Sequence, residues 1–84
     1  MTELEQRIDA TARLLLAAAK EASAIVSFDG RVTEEVAARM LGVSPRTMAD
    51  WRTDVSGPPH YKHGRISYRV SEIAAFIEGG RLQR

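Results

Sequence analysis

Residues 42–45 of this 84-residue chain contain a signal that ends one helix and a signal that starts the next. These two signals constrain the fold more than any other feature of the sequence. Gly42 suits the end of a helix, because glycine enters the left-handed backbone region without a Cβ penalty. Ser44 followed by Pro45 suits the next start, with serine as the N-cap and proline at the first helical position. The sequence therefore predicts two helices joined by a tight turn.

The helix before this turn carries its own start signal. Thr33 is a suitable N-cap, and Glu34 and Glu35 occupy the first turn, where the helix dipole favours negative charge. Apolar residues then repeat at helical spacing and form one face: Val36, Ala37, Met40 and Leu41. Two short helices joined in this way are typical of a helix-turn-helix, which places its second helix in the DNA major groove. The alternative is a plain helical hairpin in a small core.

The second helix separates into two faces. Met48 and Trp51, together with Val43, are expected to pack on the first helix, and the opposite face is predicted to meet DNA. Arg46 lies in the first turn, where major-groove contacts usually begin, and arginine suits guanine through two parallel hydrogen bonds. Asp50 would repel phosphate, so it either accepts from a cytosine amino group or, in the interpretation we favour, pairs with Arg46. The candidate DNA contacts of this segment are Ser44, Arg46, Thr47, Ala49, Asp50, Arg52 and Thr53.

A basic hairpin is predicted after the second helix. Gly57-Pro58-Pro59 stiffens the exit from that helix, because proline fixes φ and disfavours helix in the preceding residue. Residues 60–70 then alternate around Gly64, which is the pattern of two strands joined by a turn. The residues expected to face inward or across the ribbon are Tyr61, Ile66, Tyr68 and Val70. A basic ribbon beside a recognition helix normally touches phosphates or the minor groove, and its candidate contacts are Lys62, His63, Arg65 and Arg69.

A short helix is predicted after the hairpin. Ser71 is its expected N-cap, with Glu72 in the first turn, and Gly79-Gly80 is expected to end it. Its core stripe consists of Ile73, Phe76 and Ile77. Residues 81–84 are then left as a basic tail.

A long helix is predicted at the N-terminus. Thr2 and Glu5 fit a capping box. Apolar residues recur at steps of three and four: Leu4, Ile8, Ala12, Leu15, Ala19, Ala22 and Val26. A helix over residues 3 to 25 would measure roughly 35 Å, which is longer than a helix-turn-helix needs. It either pairs with another copy of the chain, the alternative we favour narrowly, or folds back onto its own domain; residues 27–30, with Asp29-Gly30 as a turn, form the joint.

The expected fold is therefore mainly α with a small β-hairpin wing, a winged helix-turn-helix preceded by a long helix. Its expected parts are an N-terminal helix in residues 1–28, a DNA-binding domain in 29–80 and a tail in 81–84. The net charge of +1 is unevenly distributed: residues 1–30 hold three Lys/Arg against five Asp/Glu, and residues 31–84 hold nine against six. The positive charge thus collects where the DNA contacts are predicted.

Other classes of protein find little support in the sequence. The absence of cysteine excludes disulfides and thiolate metal sites, and no apolar run reaches membrane length. The N-terminus is acidic and polar rather than a signal peptide, so a cytoplasmic protein is expected. His60, His63 and Asp54 could be imagined as metal ligands, but hairpin positions three apart face opposite sides. No cofactor, small-molecule ligand or membrane partner is expected, and no catalytic motif is present, so the chain is not expected to be an enzyme.

The order of these motifs resembles the excisionase-type, MerR-like winged-helix family of small phage and plasmid proteins. The resemblance extends from about Val32 to Glu78 and is carried by Thr33-Glu34-Glu35-Val36-Ala37, Leu41-Gly42-Val43-Ser44-Pro45-Arg46-Thr47, Trp51, Gly57-Pro58-Pro59, Lys62, Gly64-Arg65, Tyr68-Arg69 and Ser71-Glu72-Ile73. It implies that Arg46, the exposed residues of the recognition helix, Lys62 and Arg65 face DNA. Ala49 and Asp50 depart from the basic residues often found in that helix.

The family includes excisionases, also called recombination directionality factors, as well as transcriptional regulators and DNA-packaging subunits. Within it we expect an excisionase-like role: binding and bending double-stranded attachment-site DNA, self-associating, and helping a tyrosine integrase to excise. The resemblance to phage proteins also implies a bacterial host cell and association with its nucleoid. The nearest alternative is a small phage or prophage transcriptional regulator. A protein-interaction module is the alternative from another class, and duplex binding that weakens steeply with salt would separate it from a DNA-binding protein.

Overall fold

Four helices and three short strands make up the fold. The computed structural model describes residues 2–82, with side chains described from Thr2 to Gly80. In chain order the elements are α1 (Glu3–Glu21), β1 (Arg31–Thr33), α2 (Glu34–Leu41), α3 (Pro45–Asp54), β2 (Tyr61–His63), β3 (Arg65–Arg69) and α4 (Val70–Leu82). The predicted fold class, a winged helix-turn-helix after a long helix, is confirmed.

Helix α1 begins as predicted and ends earlier than predicted. The Thr2 hydroxyl accepts from the backbone N–H of Glu5 at 3.1 Å, and the Glu5 carboxylate accepts from the N–H of Thr2 at 3.0 Å, which completes the capping box. The helix stops at Glu21 rather than near residue 25, because Ser23 adopts a left-handed conformation with φ of 57°. The N–H of Ala24 then bonds the carbonyl of Ala19 at 2.9 Å, as in a Schellman motif.

The three strands form an antiparallel sheet in the order β1-β3-β2. The hairpin of β2 and β3 is confirmed: His63 pairs with Arg65, and Gly64 makes the turn with φ of 81°. Strand β1 was not predicted from the sequence. It has three residues, too few for a visible alternation, and it pairs with β3, where Val32 lies opposite Tyr68.

The core lies between α2, the sheet, α3 and α4. Its fully buried members are Val32, Ala37, Ala38, Met48, Tyr68, Val70 and Ile73. Two adjacent alanines in α2 leave room for close packing on more than one side of that short helix. The predicted apolar positions Val36, Met40, Leu41 and Trp51 are half-buried against this core.

Helix α4 differs from the prediction at both ends. It starts at Val70, directly after β3, so Ser71 lies inside the first turn and is not the N-cap. It also continues through Gly79 and Gly80 to Leu82, where the sequence indicated a stop. Glycine weakens a helix by about 1 kcal/mol relative to alanine but does not forbid one, and α4 is supported by packing against α1. Residues 81–82 are therefore helical rather than part of a tail, and 83–84 lie outside the described residues.

Helix α1 packs along α4 of the same chain. Ala19 is buried, and Leu15 is half-buried against the core. The hydroxyl of Thr11 donates to Glu78 Oε2 at 2.8 Å, and Arg7 Nε lies 3.6 Å from Glu78 Oε1. The structure therefore shows α1 folded back onto its own chain, one of the two arrangements that the sequence left open. Pairing with another copy, the arrangement that we favoured, stays a prediction.

Candidate nucleic-acid interface

The turn between α2 and α3 has the geometry that the sequence predicted. Gly42 is left-handed, with φ of 71°, and ends α2. The side chain of Ser44 accepts from the N–H of Thr47 at 3.1 Å, and its hydroxyl donates to Thr47 Oγ1 at 3.0 Å. Ser44 and Thr47, both candidate DNA contacts, therefore first serve to start α3, and they lie at its N-terminal end.

The exposed face of α3 contains most of the predicted contacts. Arg46, Asp50 and Thr53 are exposed and Ala49 is half-buried, whereas Met48 on the other face is buried. The hydroxyl of Thr53 donates to the carbonyl of Ala49 at 3.1 Å. The division of this helix into a core face and an open face thus follows the prediction.

The predicted ion pair between Arg46 and Asp50 is not formed. Among the ion pairs of residues 2–80, none joins these two side chains. Both side chains are exposed, and such a pair on a helix surface is worth only about 0.3–0.5 kcal/mol. The Arg46 guanidinium therefore extends into solvent from the first turn of α3.

Arg52 has a different environment from the other candidate contacts. Its Nε donates to Glu34 Oε2 at 2.8 Å, and a terminal nitrogen donates to Oε1 at 3.4 Å. The hydroxyl of Tyr68 donates to the same Oε2 at 2.7 Å. Hydrogen bonding from Arg52 lowers the pKa of the Glu34 carboxyl from its ordinary value, although partial burial opposes this shift. The guanidinium of Arg52 is thus directed towards α2.

The basic side chains of the wing project from opposite sides of the β2–β3 hairpin. Lys62 pairs with Ile66, on the side of the sheet that faces the core, whereas His63 pairs with Arg65 on the outer side. Arg69 shares that outer side, and all four candidate contacts are exposed. Lys62 therefore projects on the same side of the sheet as the helices, and the other three project away from it.

Tyr61 lies across the ribbon, on the outer side. It pairs with Ser67, and the Arg69 guanidinium carbon lies 5.2 Å from the centre of its ring. Its hydroxyl donates to Glu72 Oε1 at 2.8 Å, and this hydrogen bond raises the pKa of Tyr61. The Tyr61 hydroxyl thereby joins β2 to the first turn of α4.

A further arginine on the outer side of the sheet was not predicted from the sequence. Strand β1 places Arg31 opposite Arg69. Arg31 pairs with Asp29 at 2.9 Å and donates to the hydroxyl of Ser67 at 3.3 Å. Gly30, with φ of 78°, was the available signal, because the chain turns there immediately before β1.

Two further observations concern other kinds of site. Within the described part of the chain, no three His, Cys, Asp or Glu side chains come together as a metal site. No helix in residues 2–82 is long and apolar enough to cross a bilayer.

The helix-turn-helix geometry agrees with a comparison against protein families. A family model described as a helix-turn-helix domain matches residues 32–81, which is more than half of the chain. The chain therefore belongs to this helix-turn-helix domain family, which points to a DNA-binding protein rather than an enzyme. No curated protein and no solved structure matches it.

Proposed function

We propose that this protein binds duplex DNA at a preferred sequence, with α3 in the major groove and the β2–β3 hairpin against the adjacent backbone. The observation that carries the proposal is the exposed Arg46 in the first turn of a capped second helix. A helix in this position presents its N-terminal residues to base edges. An arginine there can read guanine with two hydrogen bonds.

The two parts of the proposed interface have different charges. In α3, Arg46 and Arg52 are offset by Asp50 and Asp54. The hairpin from His60 to Arg69 has three Lys/Arg residues and no carboxylate. The hairpin therefore supplies the attraction to phosphate, and α3 supplies the selectivity.

The test uses a duplex selected from a random-sequence pool with the intact protein, and a scrambled duplex of the same composition. Arg46→Ala is expected to weaken binding to the selected duplex by about 1–3 kcal/mol and to relax the preference at one base pair. Lys62→Ala or Arg65→Ala should weaken both duplexes alike and flatten the salt dependence by about one unit of slope. Affinities measured by fluorescence anisotropy across a salt series report both effects.

The outcomes separate the alternatives. If Arg46→Ala binds the selected duplex as the wild type does, the assignment of α3 as the reading helix is wrong. If the wild type binds no duplex in a salt-dependent way, a protein-interaction module becomes the better description.

At a finer level we propose the role of a recombination directionality factor, which binds and bends attachment-site DNA and acts with a tyrosine integrase. Support comes from the resemblance in motif order to the excisionase-type family. The expected result is more excision product when the intact protein is added to an integrase and its attachment-site DNA. Circularly permuted fragments should report a bend, and loading of neighbouring sites should be cooperative if copies associate. Altered transcription with unaltered excision would favour the regulator instead.

A further inference from the structure

Three elements of the fold meet at one carboxylate. Glu34 is the first residue of α2, and it accepts hydrogen bonds from Arg52 of α3 and Tyr68 of β3. The side chains of Glu34 and Arg52 are 21% and 30% exposed, and Tyr68 is 1% exposed. The carboxylate is therefore held between a fixed core side chain and the helix proposed to read DNA.

The position of Arg52 along α3 makes this contact important for orientation. Arg52 lies in the last turn of the helix and Arg46 in the first, about 9 Å apart along the axis. An anchor at one end of a helix fixes the direction in which the other end points. Because Tyr68 belongs to the same strand as Arg65, the same carboxylate also relates α3 to the wing.

We propose that Glu34 is a positioning residue of the DNA interface, which fixes α3 relative to the wing and keeps the Arg52 guanidinium off the phosphates. This inference rests on the proposed function. It reassigns Arg52 from a direct contact to a residue that acts through Glu34. A guanidinium keeps its charge at any ordinary pH, so a released Arg52 adds a phosphate contact that carries no sequence information.

The experiment compares two matched charge changes in the intact protein. Glu34→Gln removes the charge and keeps the shape, and Glu35→Gln makes the same change at the exposed neighbouring position. The probes are the selected duplex and the scrambled duplex of the same composition. Circular dichroism establishes that each variant is folded.

Glu34→Gln is expected to steepen the salt dependence on the scrambled duplex by up to about 0.9 units of slope, which corresponds to one added phosphate contact. The ratio of specific to non-specific affinity should fall about fivefold or more, the equivalent of one misplaced base contact. Glu35→Gln should leave that ratio unchanged. Equal behaviour of the two variants would overturn the inference.

Arg52→Gln tests the same inference from the other side of the ion pair. A positioning role predicts an unchanged slope on the scrambled duplex together with a reduced specificity ratio. A slope flattened by about 0.9 would mean that Arg52 contacts phosphate directly, and the inference would be wrong. If Glu34→Gln does not fold, Arg52→Gln and Tyr68→Phe test the inference instead. Tyr68→Phe removes only the hydroxyl that donates to Glu34, and it should also lower the ratio of specific to non-specific affinity.

Failure of the inference differs visibly from failure of the proposed function. If the wild type binds duplexes and the variants keep its slope and ratio, only the inference falls. If the wild type binds no duplex, both fall.

Discussion

At the scale of single residues, the exit from α3 depends on close packing around Trp51. Its ring lies 5.8 Å from that of Phe76, centre to centre, at an angle of 50°. A Cβ at Gly57 would lie 3.1 Å from Trp51 Cβ and 3.2 Å from Trp51 Cε3. Glycine at position 57 therefore allows the loop after α3 to pack closely against the Trp51 ring. Glycine is required there because it lacks a Cβ, and not because the backbone has a positive φ.

Gly57→Ala is expected to lower the free energy of unfolding by about 1 kcal/mol or more, the usual cost of overpacking a well-filled site. Urea denaturation followed through the fluorescence of Trp51, the single tryptophan, measures the change. Ser56→Ala, at an exposed neighbouring position, is the control and should be neutral. A Gly57→Ala variant as stable as the wild type would show that the ring moves aside at no cost.

At the scale of elements, two factors determine where the helices begin and end. Capping residues set the ends of α2, and packing extends α4 past residues that favour a helix end. Helix α2 begins with a Thr33 cap, whose hydroxyl accepts from the N–H of Val36 at 3.3 Å, and ends at left-handed Gly42. Helix α4 instead continues through two glycines. The same residue type thus ends one helix and lies inside another, and the difference is the support that α4 receives from α1.

Gly80 is helical and exposed, and a Cβ at this position would meet no neighbouring side chain or segment within 4 Å. Gly80→Ala should therefore stabilise the protein by about 0.5–1 kcal/mol. Gly42→Ala should do the opposite, since its φ of 71° strains any residue with a Cβ. Thermal or urea unfolding of the two variants measures both changes. Destabilisation by Gly80→Ala would instead agree with the helix end that the sequence indicated.

The contact that joins α2, α3 and β3 predicts a pH dependence. The pKa of Glu34 is lowered in the folded protein, chiefly by hydrogen bonding from Arg52. A carboxyl whose pKa is lower in the folded state stabilises the fold fully at a pH above its unfolded-state pKa. That stabilisation is lost as the pH falls through its folded-state pKa. The stability difference between wild type and Glu34→Gln should therefore be full above about pH 4.5 and shrink below it.

Urea midpoints measured from neutral pH to pH 3 check this expectation. Glu35→Gln, the exposed neighbour, controls for the loss of formal charge. A difference that stays constant across the range would show that the Glu34 contact contributes through shape rather than charge.

At the scale of the whole molecule, α1 packs against the winged helix-turn-helix of the same chain. The helix lies along α4, and the buried Glu78 of α4 receives a hydrogen bond from Thr11. Leu15 packs against the core, while the adjacent Leu14 is 71% exposed. One face of α1 therefore packs on the core through Leu15, and a different face, which includes Leu14, is exposed to solvent.

Leu15→Ala should lower the free energy of unfolding by about 2 kcal/mol, near the lower bound for a leucine truncated in a core, because this side chain is only half-buried. Leu14→Ala should change it little. Sedimentation and unfolding at several protein concentrations complete the test. If Leu14→Ala is the costly change and stability rises with concentration, α1 associates with another copy through its open side.

The sequence by itself determined the features that depend on neighbouring residues. The capping box of Thr2, the end at Gly42, the start at Ser44 and the turn at Gly64 each involve groups within a few positions of one another, so residue type and spacing specify them. The open position of Arg46 follows from the same helical period. These features were enough to predict the helix-turn-helix and its hairpin.

Only the tertiary structure decided the features that join distant segments. Strand β1 exists because β3 pairs with it, and α4 passes two glycines while α1 packs along it. Arg52 turns to Glu34, eighteen positions earlier in the chain, which no local pattern reveals. Each of these features depends on which segments the fold brings together. Contacts between segments that are far apart in the sequence are stabilised by burial and charge pairing, and local residue patterns do not specify them.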